Sequence, residues 1–268
     1  MKQQSSKIKK KTLKKIFIKI CRFFGYEIID QSSYEVPTLN KNLDDSLSIP
    51  GKKAITIPLG EKKITRKVNS LKIILRSCTS ELIMDQNKKR LFDKEKNEYT
   101  FRSLNSLLKS VEFASKIFDK INFDVIVTDT NSNQNDLLKI KNILSNFKIN
   151  SKLIKVNLDD FKNKILGNYS KAKFANMANL YTSLVIAQEQ SNDLIYFVED
   201  DYIHTKNAIT EMLFSYEKFS SLFGSELFLL PADYPFLYTK SESTKIFLGN
   251  QKHWRLVDES LVTFMTSK

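Results

Sequence analysis

Leu194-Ile195-Tyr196-Phe197-Val198-Glu199-Asp200-Asp201 is the stretch that decides the fold. Five apolar residues, rich in β-branched and aromatic types, read as a strand buried on both faces, the mark of a parallel sheet. They run directly into three adjacent carboxylates, which cannot all ionise side by side in a dry interior. The strand therefore ends where water or a cation meets it. A hard divalent ion, Mg²⁺ or Mn²⁺, shared between one or two carboxylates and the phosphates of a substrate, meets that need. In open parallel sheets, ligands bind at the carboxyl ends of the strands. A solvated acidic turn ahead of a helix is the plain alternative.

Working outward, the pattern alternates. Residues 71–75, 123–127 and 153–156 read as three earlier strands, and residues 226–230 as a fifth. Between them fall helical stripes: Phe101, Leu104, Leu108, Val111, Ala114 and Phe118; then Leu137, Ile140, Leu144 and Phe147; then Met177, Tyr181, Leu184 and Gln188. After the acidic triplet come Ile209, Met212, Leu213, Tyr216 and Phe223, with Asn207 as the expected N-cap. Strand and helix in alternation predict an α/β fold, a mostly parallel sheet with helices on both faces.

The expected organisation is a basic amphipathic helix within residues 1–26, a connector over 27–70 with a short strand at 54–57, and the α/β domain over 71–268. In residues 8–26, Leu13, Ile16, Phe17, Ile20 and Phe24 recur on one helical face, with Lys14, Lys15, Lys19 and Arg22 around it. Such a helix suits an anionic membrane surface, and equally a dock on its own domain. It is a poor signal peptide, because lysines interrupt the apolar run and no small-residue cleavage site follows.

The 268 residues carry a net charge of +13, yet residues 1–22 hold nine Lys or Arg and no acid, leaving 34 bases against 30 acids elsewhere. Lys outnumbers Arg 37 to 6. The body is nearly balanced and poor in arginine forks, which argues against a nucleic-acid partner. Cys21 and Cys78 form neither a disulfide framework nor a zinc spacing, so a reducing, cytoplasmic compartment is expected, peripheral to the inner face of the cell membrane if the basic helix binds there.

Two further strand ends bear polar clusters. The second strand runs into Asp129-Thr130-Asn131-Ser132-Asn133, able to hold a base or ribose but also built from turn formers and helix caps. The first ends in Arg76-Ser77-Cys78-Thr79-Ser80, whose hydroxyls and amides can face a nucleotide.

Val127-Thr128-Asp129-Thr130-Asn131-Ser132-Asn133 resembles the second-strand motif of family-2-type glycosyltransferases with the GT-A fold. Gly167 with Ala175-Asn176-Met177-Ala178-Asn179 is similar to that family's glycine and Ala-Arg-Asn segment, and Glu199-Asp200-Asp201 stands where its Asp-x-Asp motif follows an apolar strand. The resemblance covers roughly residues 71–215. It implies a hexosyltransferase-type enzyme moving sugar from a nucleotide-sugar donor to a glycan or lipid-linked acceptor, as in polysaccharide biosynthesis. Asp129 would hold the base or ribose, Asp200 would lie near the ribose and donor sugar, and Asp201 would be the direct metal ligand with Glu199 beside it. Ser77, Thr79 and Asn176 would complete the nucleotide-sugar site, and His253 would be a further metal ligand.

The family's base, which takes the acceptor proton, sits after the metal motif. Asp233, Asp258 and Glu259 are the candidates, Asp233 and Asp258 foremost; the expected acceptor side is short. Two departures stand out: Ala-Arg-Asn lacks its arginine, for which Lys171 or Lys173 can substitute, and its spacing to the triplet is long. Late in the chain, Tyr234 and Trp254 can stack on a sugar and Arg255 can clamp a phosphate; His204 lies three residues beyond Asp201, and a histidine beside a tryptophan, as His253 is, also reads as packing or surface. A nucleotidyltransferase of related fold and an inactive membrane or scaffold protein are the alternatives. The first lacks its glycine- and basic-rich loop, since residues 77–90 contain no glycine.

Overall fold

The computed structural model describes residues 16–17, 19–21, 23–26, 63–80, 94–232, 245–257 and 261–268. The chain divides into two compact units: Pro58–Ala232, Leu248–His253 and Asp258–Lys268 in one, and Met1–Ile57, Asp233–Phe247 and Trp254–Val257 in the other. The expected strand at 54–57 and the candidate residues Asp233, Tyr234, Asp258 and Glu259 lie outside the described residues.

The larger unit is the expected α/β layer structure. Strands β1 (Ser70–Ser77), β2 (Asn122–Asp129), β3 (Asn150–Lys155) and β4 (Leu194–Glu199) alternate with helices α1 (Lys96–Ser115), α2 (Gln134–Ser145), α3 (Lys171–Gln190) and α4 (Ala208–Phe223). A two-stranded sheet, β5 (Ile246–Leu248) with β6 (His253–Arg255), precedes the last strand, β7 (Phe264–Ser267). The main sheet has the order β3-β2-β1-β4-β7. Its first four strands are parallel and β7 is antiparallel to β4. To go from β3 to β4 the chain must cross back over β2 and β1. With right-handed crossovers, that puts α3 on one face of the sheet and α1 and α2 on the other. Packing agrees: α1 lies against α2 and α4, whereas α3 lies against β1 and β2.

The apolar stripes explain these placements. On α1, Phe101, Leu104, Leu108, Val111 and Ala114 are buried, and on α2 Leu137, Ile140 and Leu144. Asn133 caps α2 by accepting a hydrogen bond from the Asp136 amide. Gly224, with φ of 68°, closes α4 in the left-handed conformation that favours glycine. Asn207 stands at the α4 N-cap as expected, but its side chain donates to Gln251 instead of capping.

Three expectations are corrected. Helix α3 buries Ala175, Ala178, Asn179, Ser183, Ile186 and Ala187, while Tyr181 and Leu184 are exposed. Small side chains let α3 sit close enough on the sheet for polar groups to reach strand backbone, and Tyr181 packs edge-on against Phe161. On α4, Phe219 is buried where Phe223 was expected. Residues 226–230 form no strand: Leu229 makes an isolated antiparallel bridge to Met265, because the outer edge of β4 is already taken by β7. Fully buried Met265 pairs with Tyr196, and Phe264 stacks on Phe197.

At the amino ends of the strands, Arg66 binds Asp193 and Glu226, and Glu226 also accepts from Tyr216. Buried Glu211 of α4 accepts from the backbone amides of Asn250, Gln251 and Lys252 and from Ser215. These charge-assisted bonds fasten the turn after β5 to the helix. Removing the carboxylate strands partly buried amides, so Glu211→Ala is expected to cost about 1–3 kcal/mol in urea unfolding, with Glu211→Gln milder.

Candidate functional site

In this strand order the chain leaves β1 toward β2 on one side and returns to β4 on the other. The crevice between the carboxyl ends of β1 and β4 is therefore the topological switch point. Arg76 pairs in register with Glu199, and Ser77 with Asp129. Because side chains alternate along a strand, the end of each strand sends its successive residues to opposite layers. Ile74, Ile126, Ile195 and Phe197 pack with Ile186 and Ala187 of α3. Arg76, Thr128 and Glu199 continue that face; Ser77, Asp129 and Asp200 continue the other.

On the α1 and α2 side, Asp129 is fully buried. Its carboxylate accepts from the Ser77 hydroxyl at 2.6 Å, the Ser132 hydroxyl at 2.5 Å and the Ser132 amide at 3.3 Å. Burial pushes its pKa above the ordinary value, and these bonds pull the other way. Ser132 Oγ also accepts from the Thr79 amide, while Thr79 donates its hydroxyl to Asp136 at 2.7 Å. Asp200 accepts from Thr100 Oγ1 at 2.8 Å and from the Cys78 amide at 3.3 Å, with Lys96 Nζ at 3.8 Å. The loops after β1 and β2 are thereby stitched together around two buried carboxylates.

On the α3 side, Arg76 is buried and donates to Glu199 at 3.1 Å and to Asn176 Oδ1 at 3.2 Å. Desolvation lowers the Arg76 pKa, against the pull of Glu199 and Asp200. Desolvation likewise raises the Glu199 carboxyl; Asp201 and Asp200 add to the rise and Arg76 opposes it. Asn179 donates to the carbonyls of Ser77 and Thr128, both at 3.1 Å. Arg76 Nε and Asn179 Oδ1 are buried without a hydrogen-bond partner.

The acidic triplet is thus not one cluster. Glu199 turns toward Arg76, Asp200 toward Thr100, and Asp201 is exposed beyond the strand. Among the described residues, no three His, Cys, Asp or Glu side chains gather as a metal cluster. His253 is exposed at the start of β6, and Trp254 and Arg255 are half-buried within it. Lys173 lies over the Tyr169 ring. The cation beside Asn176 is Arg76, which comes from β1 and not from the helix.

Of the expected residues, Ser77, Thr79, Asp129, Asn176, Glu199 and Asp200 all stand at the ends of β1, β2 and β4 or on α3 beside them. Arg76, Thr100, Asp136 and Asn179 belong to the same constellation and were given no role from sequence. Arg76 carried a signal, a charge closing an apolar strand, and Asn179 lay within the Ala175–Asn179 segment; Thr100 and Asp136 carried none.

No protein-family model and no curated protein matches the chain. Solved structures match part of it. S. aureus TarS is 18 % identical over 53 % of this chain and 31 % of that one, with a TM-score of 0.29. M. tuberculosis glucosyl-3-phosphoglycerate synthase is 12 % identical over 53 % and 38 %, with a TM-score of 0.29. An active-site mutant of LgtC is 14 % identical over 53 % and 41 %, with a TM-score of 0.30. The chain therefore spans less than half the length of each.

His204 is buried, its Nε2 2.8 Å from the Tyr196 hydroxyl and its ring edge-on to that tyrosine. Burial depresses its pKa from 6.5 to about 4. A depressed pKa contributes stability that is complete above the ordinary value and lost as pH falls through the folded one. Unfolding free energy is expected to drop by on the order of 3 kcal/mol between pH ~6.5 and ~4 from this group. Urea titrations across that range check it: His204→Gln flattens the slope, whatever its effect at neutral pH.

Proposed function

We propose that the chain is a GT-A-type glycosyltransferase, of the hexosyltransferase class, acting on a nucleotide-sugar donor and a glycan or lipid-linked acceptor. One observation carries the reading. The Glu199-Asp200-Asp201 triplet, the Asp129 turn and the Asn176 segment, three separate sequence motifs, meet at the switch point of a parallel sheet. Ligands of such sheets bind there.

Each residue then has a role its surroundings suit. Asp129, wholly engaged with Ser77 and Ser132, holds the turn on which base and ribose rest. Thr79 and Ser77 hold the neighbouring loop in the same manner. Asp200, fixed by Thr100 and the Cys78 amide, ties that loop to β4 beside the ribose and donor sugar. Asn176, oriented by Arg76, faces the donor from α3.

The donor set fits a hard divalent ion that takes the rest of its ligands from substrate. Asp201 and Glu199 offer carboxylate oxygens, and Glu199 is a carboxylate whose negative charge Arg76 only partly offsets. Mn²⁺ or Mg²⁺ bound at Asp201, with His253 as a further ligand, would supply charge neutralisation to the leaving diphosphate. In the transfer, the bond from the anomeric carbon to phosphate oxygen breaks and one to the acceptor oxygen forms. The acceptor's proton goes to a carboxylate, for which Asp233 and Asp258 are the candidates.

Calorimetry with UDP-, GDP- and CMP-sugars, with and without Mn²⁺, tests this. One of these donors is expected to bind only with the metal present, and Asp201→Asn to weaken it by about 100-fold, ~2.7 kcal/mol. Binding that needs no metal, or that ignores the substitution, overturns the metal role. No binding by any of the three overturns the transferase.

A further inference from the structure

We propose that the amino-terminal basic segment lays the protein onto an anionic lipid bilayer. This inference stands apart from the sugar-transfer reading. The described residues of the segment are helical at Ile16, Phe17, Lys19, Ile20, Cys21 and Phe23. Ile16, Phe17, Ile20, Phe23 and Phe24 project within about a third of a helical circumference.

The described side chains of that face are exposed. Phe23 is 86 % exposed, Phe24 67 %, Phe17 59 %, and Ile16 and Ile20 50 % each, with Tyr26 exposed beside them. Phe23 and Phe24 pack edge to face, at 5.4 Å between ring centroids. So many bulky apolar side chains in one patch mark an interaction site.

Charge decides the occupant. Residues 1–22 contain nine Lys or Arg and no Asp or Glu, while the rest of the chain is nearly balanced. An acid-free basic segment is complementary to an anionic surface, and a ribbon of phenylalanine and isoleucine is complementary to acyl chains just beneath it. An anionic bilayer offers both in one plane. A nucleic acid would satisfy the lysines and leave the phenylalanines in water. Among the described residues no helix is long and apolar enough to cross a membrane, so the mode is lying on the surface.

The test is co-sedimentation of the full chain with vesicles of phosphatidylcholine alone and of phosphatidylcholine mixed equally with phosphatidylglycerol, alongside a duplex DNA in solution. Binding is expected only to the mixed vesicles. Phe17→Ser combined with Phe23→Ser, both at exposed positions, should lower partitioning by about tenfold or more. Lys14, Lys15 and Lys19 changed together to Gln should lower it by roughly fivefold per lysine. Equal binding to both vesicle types, binding to neither, indifference to the phenylalanine changes, or tighter binding to the DNA would each overturn the proposal.

Discussion

A charge at the end of a buried strand has to be satisfied in whichever layer its side chain enters. At the ends of β1 and β4 that constraint is met by one cross-strand pair. Arg76 and Glu199 are register partners on adjacent parallel strands, and Asn176 of α3 takes the arginine's second amine. A slip of one residue would send Arg76 into the opposite layer, toward buried Asp129 and away from Glu199, so the pair also specifies register. Deleting Glu199 leaves buried Arg76 without its charge partner, whereas Glu199, about a third exposed, can turn to water when Arg76 is removed.

The opposite layer solves the same problem with neutral donors. Asp129 and Asp200 are surrounded by hydroxyls and amides from Ser77, Ser132, Thr100 and Cys78. These bonds bind the loop after β1 to the loop after β2 and to α1. Helix α3 contributes from beneath: Asn179 spans the carbonyls of Ser77 and Thr128 on neighbouring strands, and small residues around it permit the approach. The rim of the sheet is consequently a preorganised surface, the property a site for a polyanionic ligand requires.

The parallel core was legible because its strands are apolar on both faces, and α1 and α2 because large side chains repeat at helical spacing. Helix α3 was misread for the same reason. Its exposed Tyr181 and Leu184 look like a core stripe, whereas its true inner face is alanine, serine and asparagine. The last strand escaped because β7 is four residues long and pairs with β4 from far along the chain; periodicity reports local pattern and not partner. At the site, residues at strand ends could be placed from the strands themselves. Thr100 and Asp136 could not, since a polar residue on a helix outside any motif reveals nothing of the loop it will meet.

The triplet shows how tertiary structure revises a linear argument. Three adjacent acids suggest a single concentrated charge, yet strand alternation and the turn after Glu199 divide them among three environments. What remains at the rim is an exposed Asp201 and a Glu199 whose ionisation is opposed mainly by desolvation and then by its two neighbours, despite Arg76 at hydrogen-bond distance. A site with that balance gains from added positive charge. Under the proposed function, Asp201 and Glu199 would hold the cation together with the oxygens of the donor's diphosphate, and its charge would offset the repulsion between the two carboxylates. On that proposal the arrangement would favour the pair of ligands over either alone, through electrostatics set at the strand ends.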